Sequence, residues 1–157
     1  MRLIDWIVVH TAAAYDVRAK RVVYQSTETI RQYHKTHNGW HDIGYHWVVE
    51  EDGSVRRGRD ETVIGAHVGG WNERTIGICV TGHGDFAPFN DRQMDALVAK
   101  CARICDARHL SGIRVIGHRE APQHGAPHTD KTCPGVMVDM GAIRRLVGDC
   151  LDEGASV

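Results

Sequence analysis

The chain has 157 residues, 42% hydrophobic and 25% charged, the size and mixture of one soluble domain with a real apolar core. Nineteen Lys and Arg stand against 20 Asp and Glu, for a formal charge of −1. No global basic field exists to hold nucleic acid or an anionic membrane by counterion release, so neither is an expected partner.

The first apolar run, Ile4-Asp5-Trp6-Ile7-Val8-Val9, predicts a buried strand that ends at His10. It is too short for a membrane span and lacks the shape of a signal peptide, so synthesis in a cytoplasm is expected. Residues 26–37 predict a helix with Ile30, Tyr33 and His34 on one face, stopped at Gly39. A strand over 45–49 is joined by the turn pair Asp52-Gly53 to another over 54–57. A further strand is expected over 75–80. Asn90, with Gln93 three residues on, forms a capping box. The helix it opens carries a core face of Met94, Leu97, Val98, Cys101, Ile104 and Cys105. A short strand over 113–116 leads into a loop rich in Pro, Gly and His over 117–135. Asp139 caps a last helix through Ile143, Leu146, Val147 and Cys150. No repeat or linker breaks this order. It predicts one domain over residues 1–157, of mixed α/β class, with a central mixed sheet of about five or six strands and about three helices on its faces.

Five scattered cysteines fit no secretory disulfide framework, and 11 histidines invite a search for metal ligands. Two strands end alike: residues 4–9 run into His10, and Ile113-Arg114-Val115-Ile116-Gly117 runs into His118. If the two strands are parallel, both imidazoles emerge at one carboxyl edge of the sheet, where open sheets place ligands. Cys133 follows in the next loop, with Pro134-Gly135 just beyond it. Two His and one Cys suit a zinc ion with its fourth position open for water. Spacing alone leaves Cys133 equally readable as an inert loop thiol or as a nucleophile with a histidine base.

Several segments, in order, carry a resemblance to a known family. They are Ile7-Val8-Val9-His10-Thr11-Ala12, Gly39-Trp40-His41-Asp42-Ile43-Gly44-Tyr45-His46, Asp52-Gly53-Ser54-Val55 with Gly58-Arg59, and Gly65-Ala66-His67 with Gly70-Trp71-Asn72. Thr75-Ile76-Gly77-Ile78-Cys79-Val80, Gly117-His118-Arg119-Glu120 and Lys131-Thr132-Cys133-Pro134-Gly135 complete the set. The chain resembles the amidase-2 and peptidoglycan-recognition-protein family, and within it the single-domain phage lysozymes that are N-acetylmuramoyl-L-alanine amidases, or endolysins.

The resemblance implies one catalytic zinc ion held by His10, His118 and Cys133. It implies an active-site Tyr45, a catalytic Lys131, and His67 and Asn72 in the groove that takes the muropeptide. Trp71 lies in the same stretch and offers an aromatic face to a sugar ring, whereas Trp6, Trp40 and Trp47 default to the core. The implied reaction is hydrolysis of the amide between N-acetylmuramic acid and L-alanine of bacterial peptidoglycan. Zinc acidifies a water, Lys131 stabilises the oxyanion, and Tyr45 orients the water or passes a proton to the leaving nitrogen. The expected setting is a monomeric phage endolysin, made in the host cytoplasm without a signal peptide and acting on the wall after release. A cytoplasmic muropeptide-recycling amidase and a non-catalytic recognition module are the alternatives. The recognition modules typically lack the cysteine ligand. One phage relative also binds its phage's RNA polymerase, but no surface for that contact is identifiable in this sequence. The loop before Cys133 also carries His124 and His128, and His128 reads as an exposed residue, with metal ligation or substrate contact as its alternatives. Glu120 reads as a support for a ligand imidazole or as a surface charge.

Overall fold

Strand β1 (Trp6–Thr11) is flanked on both sides in the computed structural model, which describes residues 1–155. On one side it pairs in parallel with β6 (Thr75–Val80), on the other with β7 (Val115–Gly117). β6 continues in parallel to β4 (Trp47–Val49), and β5 (Val55–Arg57) closes the edge antiparallel to β4. The sheet is thus mixed and five-stranded. Strands β1 and β6 are buried on both faces, as their near-continuous apolar sequences require. A separate small hairpin pairs β2 (Tyr15–Asp16) with β3 (Arg21–Val22).

The side-chain alternation of β1 divides the molecule. Ile7 and Val9 join Ile76, Ile78 and Val80 on one face, under helices α2 (Asp91–Arg108) and α3 (Met140–Ala155). Val8 points the other way, into a cluster with Val68, Ile116 and Ala121. Nearby on that face, helix α1 (Thr27–Thr36) sets Ile30 against Ile43, Val48 and Cys79. The partner of Val8 across the β1–β7 ladder is Ile116. Two residues on, with the same orientation, come His10 and His118.

Each helix begins at a capping residue, two of which, Asn90 and Asp139, the sequence identifies. Ser26 accepts from the Thr29 N–H, the Asn90–Gln93 box is complete, and Asp139 accepts from the Ala142 N–H. Strand limits shift more. β1 extends through His10 to Thr11, so His10 is a strand residue and not a terminus. Tyr45 and His46 precede β4. Ile113 falls in a 3-10 turn over Gly112–Arg114 and is 70% exposed. Gly112 lies so close to α3 that a Cβ there would meet the Arg144 carbonyl at 2.9 Å. Tyr33 and Leu146 lie on the predicted apolar faces of their helices but are exposed, because each stripe is wider than the surface that covers it. No helix among the described residues is long and apolar enough to cross a membrane.

Candidate active site

His10 and His118 emerge side by side at the carboxyl end of the parallel strands, their ring centroids 4.8 Å apart. His118 opens a 3-10 segment (His118–His124) directly after β7. The chain then returns to place Cys133 Sγ 3.6 Å from His10 Nδ1. One ligand atom from each of His10, His118 and Cys133 lies within 4.8 Å of the others, and both histidines are buried. Neither His124 nor His128 joins them. His124 stacks on Trp6, and exposed His128 pairs with Asp130.

The loop carrying Cys133 is pinned from two sides. The Arg119 N–H donates to the Cys133 carbonyl, and its guanidinium donates to the carbonyls of Thr132, Gly135 and Val138. Asp85 accepts from Thr132 Oγ1 and the Val136 N–H, both at 2.8 Å. Gly84 and Gly135 meet backbone to backbone, with no room for a Cβ on either. Sequence reasoning missed Asp85 as a loop anchor and the role of Arg119. Glu120 meets no imidazole. It forms an ion pair with Arg144 of α3 and accepts from the Gly117 N–H, tying the 3-10 segment to the last helix.

The donor set fits a zinc ion. Zinc bonds of about 2.3 Å to sulfur and about 2.0 Å to nitrogen at the tetrahedral angle separate the two ligand atoms by roughly 3.5 Å, against the 3.6 Å between Cys133 Sγ and His10 Nδ1. Burial holds both imidazoles below their ordinary value, most strongly His10, so each offers a neutral lone pair. Burial also pushes the Cys133 thiol up to about 11, although the Thr11 N–H and Lys131 pull the other way. A nucleophilic cysteine needs the opposite shift. A dication would stabilise the thiolate that the protein alone does not.

Two connected hollows open over this group. One, of about 380 Å³, is walled by His10, His118 and Cys133 together with Tyr45, His83 and Lys131. The other, of about 500 Å³, runs past His67 and Asn72 to His34 and Trp40 on one side and His128 on the other. The Tyr45 ring lies 5.2 Å from that of His10, and burial raises its phenol well above the usual value. Lys131 is close enough for its charge to act on His10, His118 and Cys133 alike. Asn72 lines the cleft, but its Oδ1 accepts from the N–H groups of His67 and Val68. Trp71 lies elsewhere, in a smaller hollow beside Trp6, with ring centroids 6.2 Å apart. The tryptophan on the cleft is instead Trp40, a residue that the sequence alone places in the core. A further hollow, of about 630 Å³, shares no lining residue with the two connected hollows. Its Glu50 carboxylate is engaged with Thr27 at the start of α1.

The family model described as N-acetylmuramoyl-L-alanine amidase matches residues 1–136. The endolysin of Enterobacteria phage T3 is 45% identical over 110 residues, 67% of this chain and 66% of its own length. The chain thus spans just under two thirds of that relative. Peptidoglycan-recognition protein SC2 of Drosophila melanogaster is 29% identical over 128 residues, 81% of this chain and 70% of its own. In fold, the chain is similar to N-acetylmuramoyl-L-alanine amidase LysC from Clostridium intestinale URNW. The TM-score is 0.76 at 24% identity, covering 92% of this chain and 85% of that one.

Proposed function

Because the chain belongs to the N-acetylmuramoyl-L-alanine amidase family, we propose that it is one catalytic domain that hydrolyses the amide between N-acetylmuramic acid and L-alanine of peptidoglycan. One zinc ion is its cofactor, with His10, His118 and Cys133 as ligands. The observation that carries this reading is the group of three donor atoms within 4.8 Å at the floor of a cleft. We place it as a phage endolysin, made in the host cytoplasm and acting on the wall once released, by its similarity to phage endolysins.

Bound zinc supplies an acidified water and a Lewis acid for the scissile carbonyl. The protein supplies the rest. Attack on the lactyl carbonyl develops an oxyanion, and the Lys131 ammonium at the rim of the ligand group offsets that charge. Tyr45, held protonated by burial, hands a proton to the departing alanine nitrogen, which would otherwise leave as an amide anion, and regains one from the attacking water. The walls formed by His67, Asn72 and Trp40 hold the muropeptide along the cleft.

Purified protein should contain about one zinc per chain. On peptidoglycan it should release new N-terminal alanine without new reducing sugar ends. Reducing ends without free alanine would make it a glycosidase and end this reading. Peptidoglycan binding without zinc or turnover would make it a recognition module. Cys133→Ser should lower zinc content and activity together, and full retention of both would refute the ligand set.

A further inference from the structure

His10 has two ring nitrogens, and only one can serve the ligand group. Nδ1 faces Cys133 at 3.6 Å, whereas Nε2 lies 2.9 Å from His67 Nδ1. The other nitrogen of His67, Nε2, lies 3.1 Å from Thr75 Oγ1. Thr75 Oγ1 in turn is 3.1 Å from the Asn72 carbonyl and 3.4 Å from that of Trp71.

A carbonyl can only accept; with the single hydroxyl hydrogen of Thr75 directed to one of the two within its reach, Oγ1 accepts from His67 Nε2–H. With its proton on Nε2, His67 presents a bare Nδ1 and accepts from His10 Nε2–H. One proton on His10 Nε2 leaves the lone pair on Nδ1. We infer that Thr75 and His67 form a one-way hydrogen-bond relay that fixes His10 as its Nε2–H tautomer and aims its Nδ1 at the ligand group. Both are positioning residues, because each acts through His10.

The surroundings are shaped for the relay. A side chain on Gly77 would meet the His67 ring at 2.6 Å, and one on Gly65 would meet it at 2.8 Å. Asn72 Oδ1 holds the His67 backbone through its N–H at 2.9 Å. With both nitrogens engaged inside the protein, His67 does more than line the cleft. The inference rests on the metal-site reading for what His10 binds, but not for the tautomer.

Long-range proton–nitrogen NMR of the zinc-free protein reads the tautomer directly. The expected result is a proton on His10 Nε2, and a proton on Nδ1 overturns the relay. Zinc affinity by chelator competition reads its consequence. His67→Phe, which keeps a ring but no nitrogen, should bind zinc at least about tenfold more weakly. His67→Gln, whose carbonyl can accept from His10 Nε2–H, should stay within about threefold of wild type. Thr75→Val, which touches no ligand residue, should weaken zinc and mix the His10 tautomers. Wild-type affinity in both the Phe and Val variants overturns the inference. Amide spectra establish that each variant folds, and Thr75→Val decides if His67→Phe does not. If the wild-type protein binds no zinc, the metal reading fails while the tautomer result still judges the relay.

Discussion

Lys131 and Tyr45 border the three donor residues with complementary chemistry, a cation and a phenol that burial keeps protonated at rest. Neither donates to the ligand group, so zinc content should survive their loss while turnover does not. Tyr45→Phe should lower kcat by about 100- to 10,000-fold, the range for a lost general acid or base. Lys131→Met should lower it by about 100- to 1,000-fold, as for a lost oxyanion partner. Zinc analysis beside single-turnover assays checks both, and loss of zinc in either variant would reassign that residue to the metal site. At this scale the sequence was informative where a side chain's place follows from its own strand. His10 and His118 were legible because each follows an apolar run. The hydrogen bond from His10 to His67 joins residues 57 apart, and the Thr132–Asp85 bond spans 47. No local pattern encodes such pairs. Glu120 shows the converse, since its position two residues past His118 suggested an imidazole partner, yet Arg144 claimed it.

The elements divide between those that build the sheet and those that hold the Cys133 loop. Asp85 reaches that loop through two hydrogen bonds and touches neither histidine ligand. Asp85→Ala should therefore weaken zinc binding by freeing Cys133 while leaving the β1–β7 edge intact. Chelator competition measures the first, and amide exchange of β1 the second. A cap away from the site should behave oppositely. Asn90→Ala removes a capping box at the start of α2 and should cost about 1 kcal/mol of stability without changing zinc affinity. Helix starts were readable because capping is a local contract between a side chain and the next turn. Strand limits were not, because a ladder ends where its neighbour ends. β7 has only three residues, set by a 3-10 turn on either side.

Across the molecule, the ligand group ties residues 123 positions apart. Zinc bound only by the folded state should stabilise it by about 2.7 kcal/mol at a hundred times its Kd. Chelation should lower Tm correspondingly, and an unchanged Tm would mean that the ion binds outside this group. Acid should act separately. His46 is fully buried, with Nδ1 accepting from the Gly77 N–H and Nε2 2.8 Å from the Val63 carbonyl. Burial, ahead of the nearby Arg2 and Arg59 charges, holds its imidazole below the ordinary value. The unfolded chain therefore takes up a proton that the folded chain refuses, and stability falls as pH drops below about 6.5. Urea unfolding of the zinc-free protein at pH 7.5 and 5.5 should show this loss, and equal stabilities would contradict it.

The placement of β1 between β6 and β7 also orders events in time. A ribosome makes this apolar strand first, but its neighbours arrive only at residues 75–80 and 115–117. At about 5–20 residues per second the nascent strand waits several seconds with both edges bare. A bare apolar strand is a template for pairing with other chains. Release before residue 75 should therefore yield insoluble product, whereas chains carried past residue 117 can complete the sheet. The same delay keeps His10, His118 and Cys133 apart until Cys133 has been made, so a growing chain cannot assemble that group early.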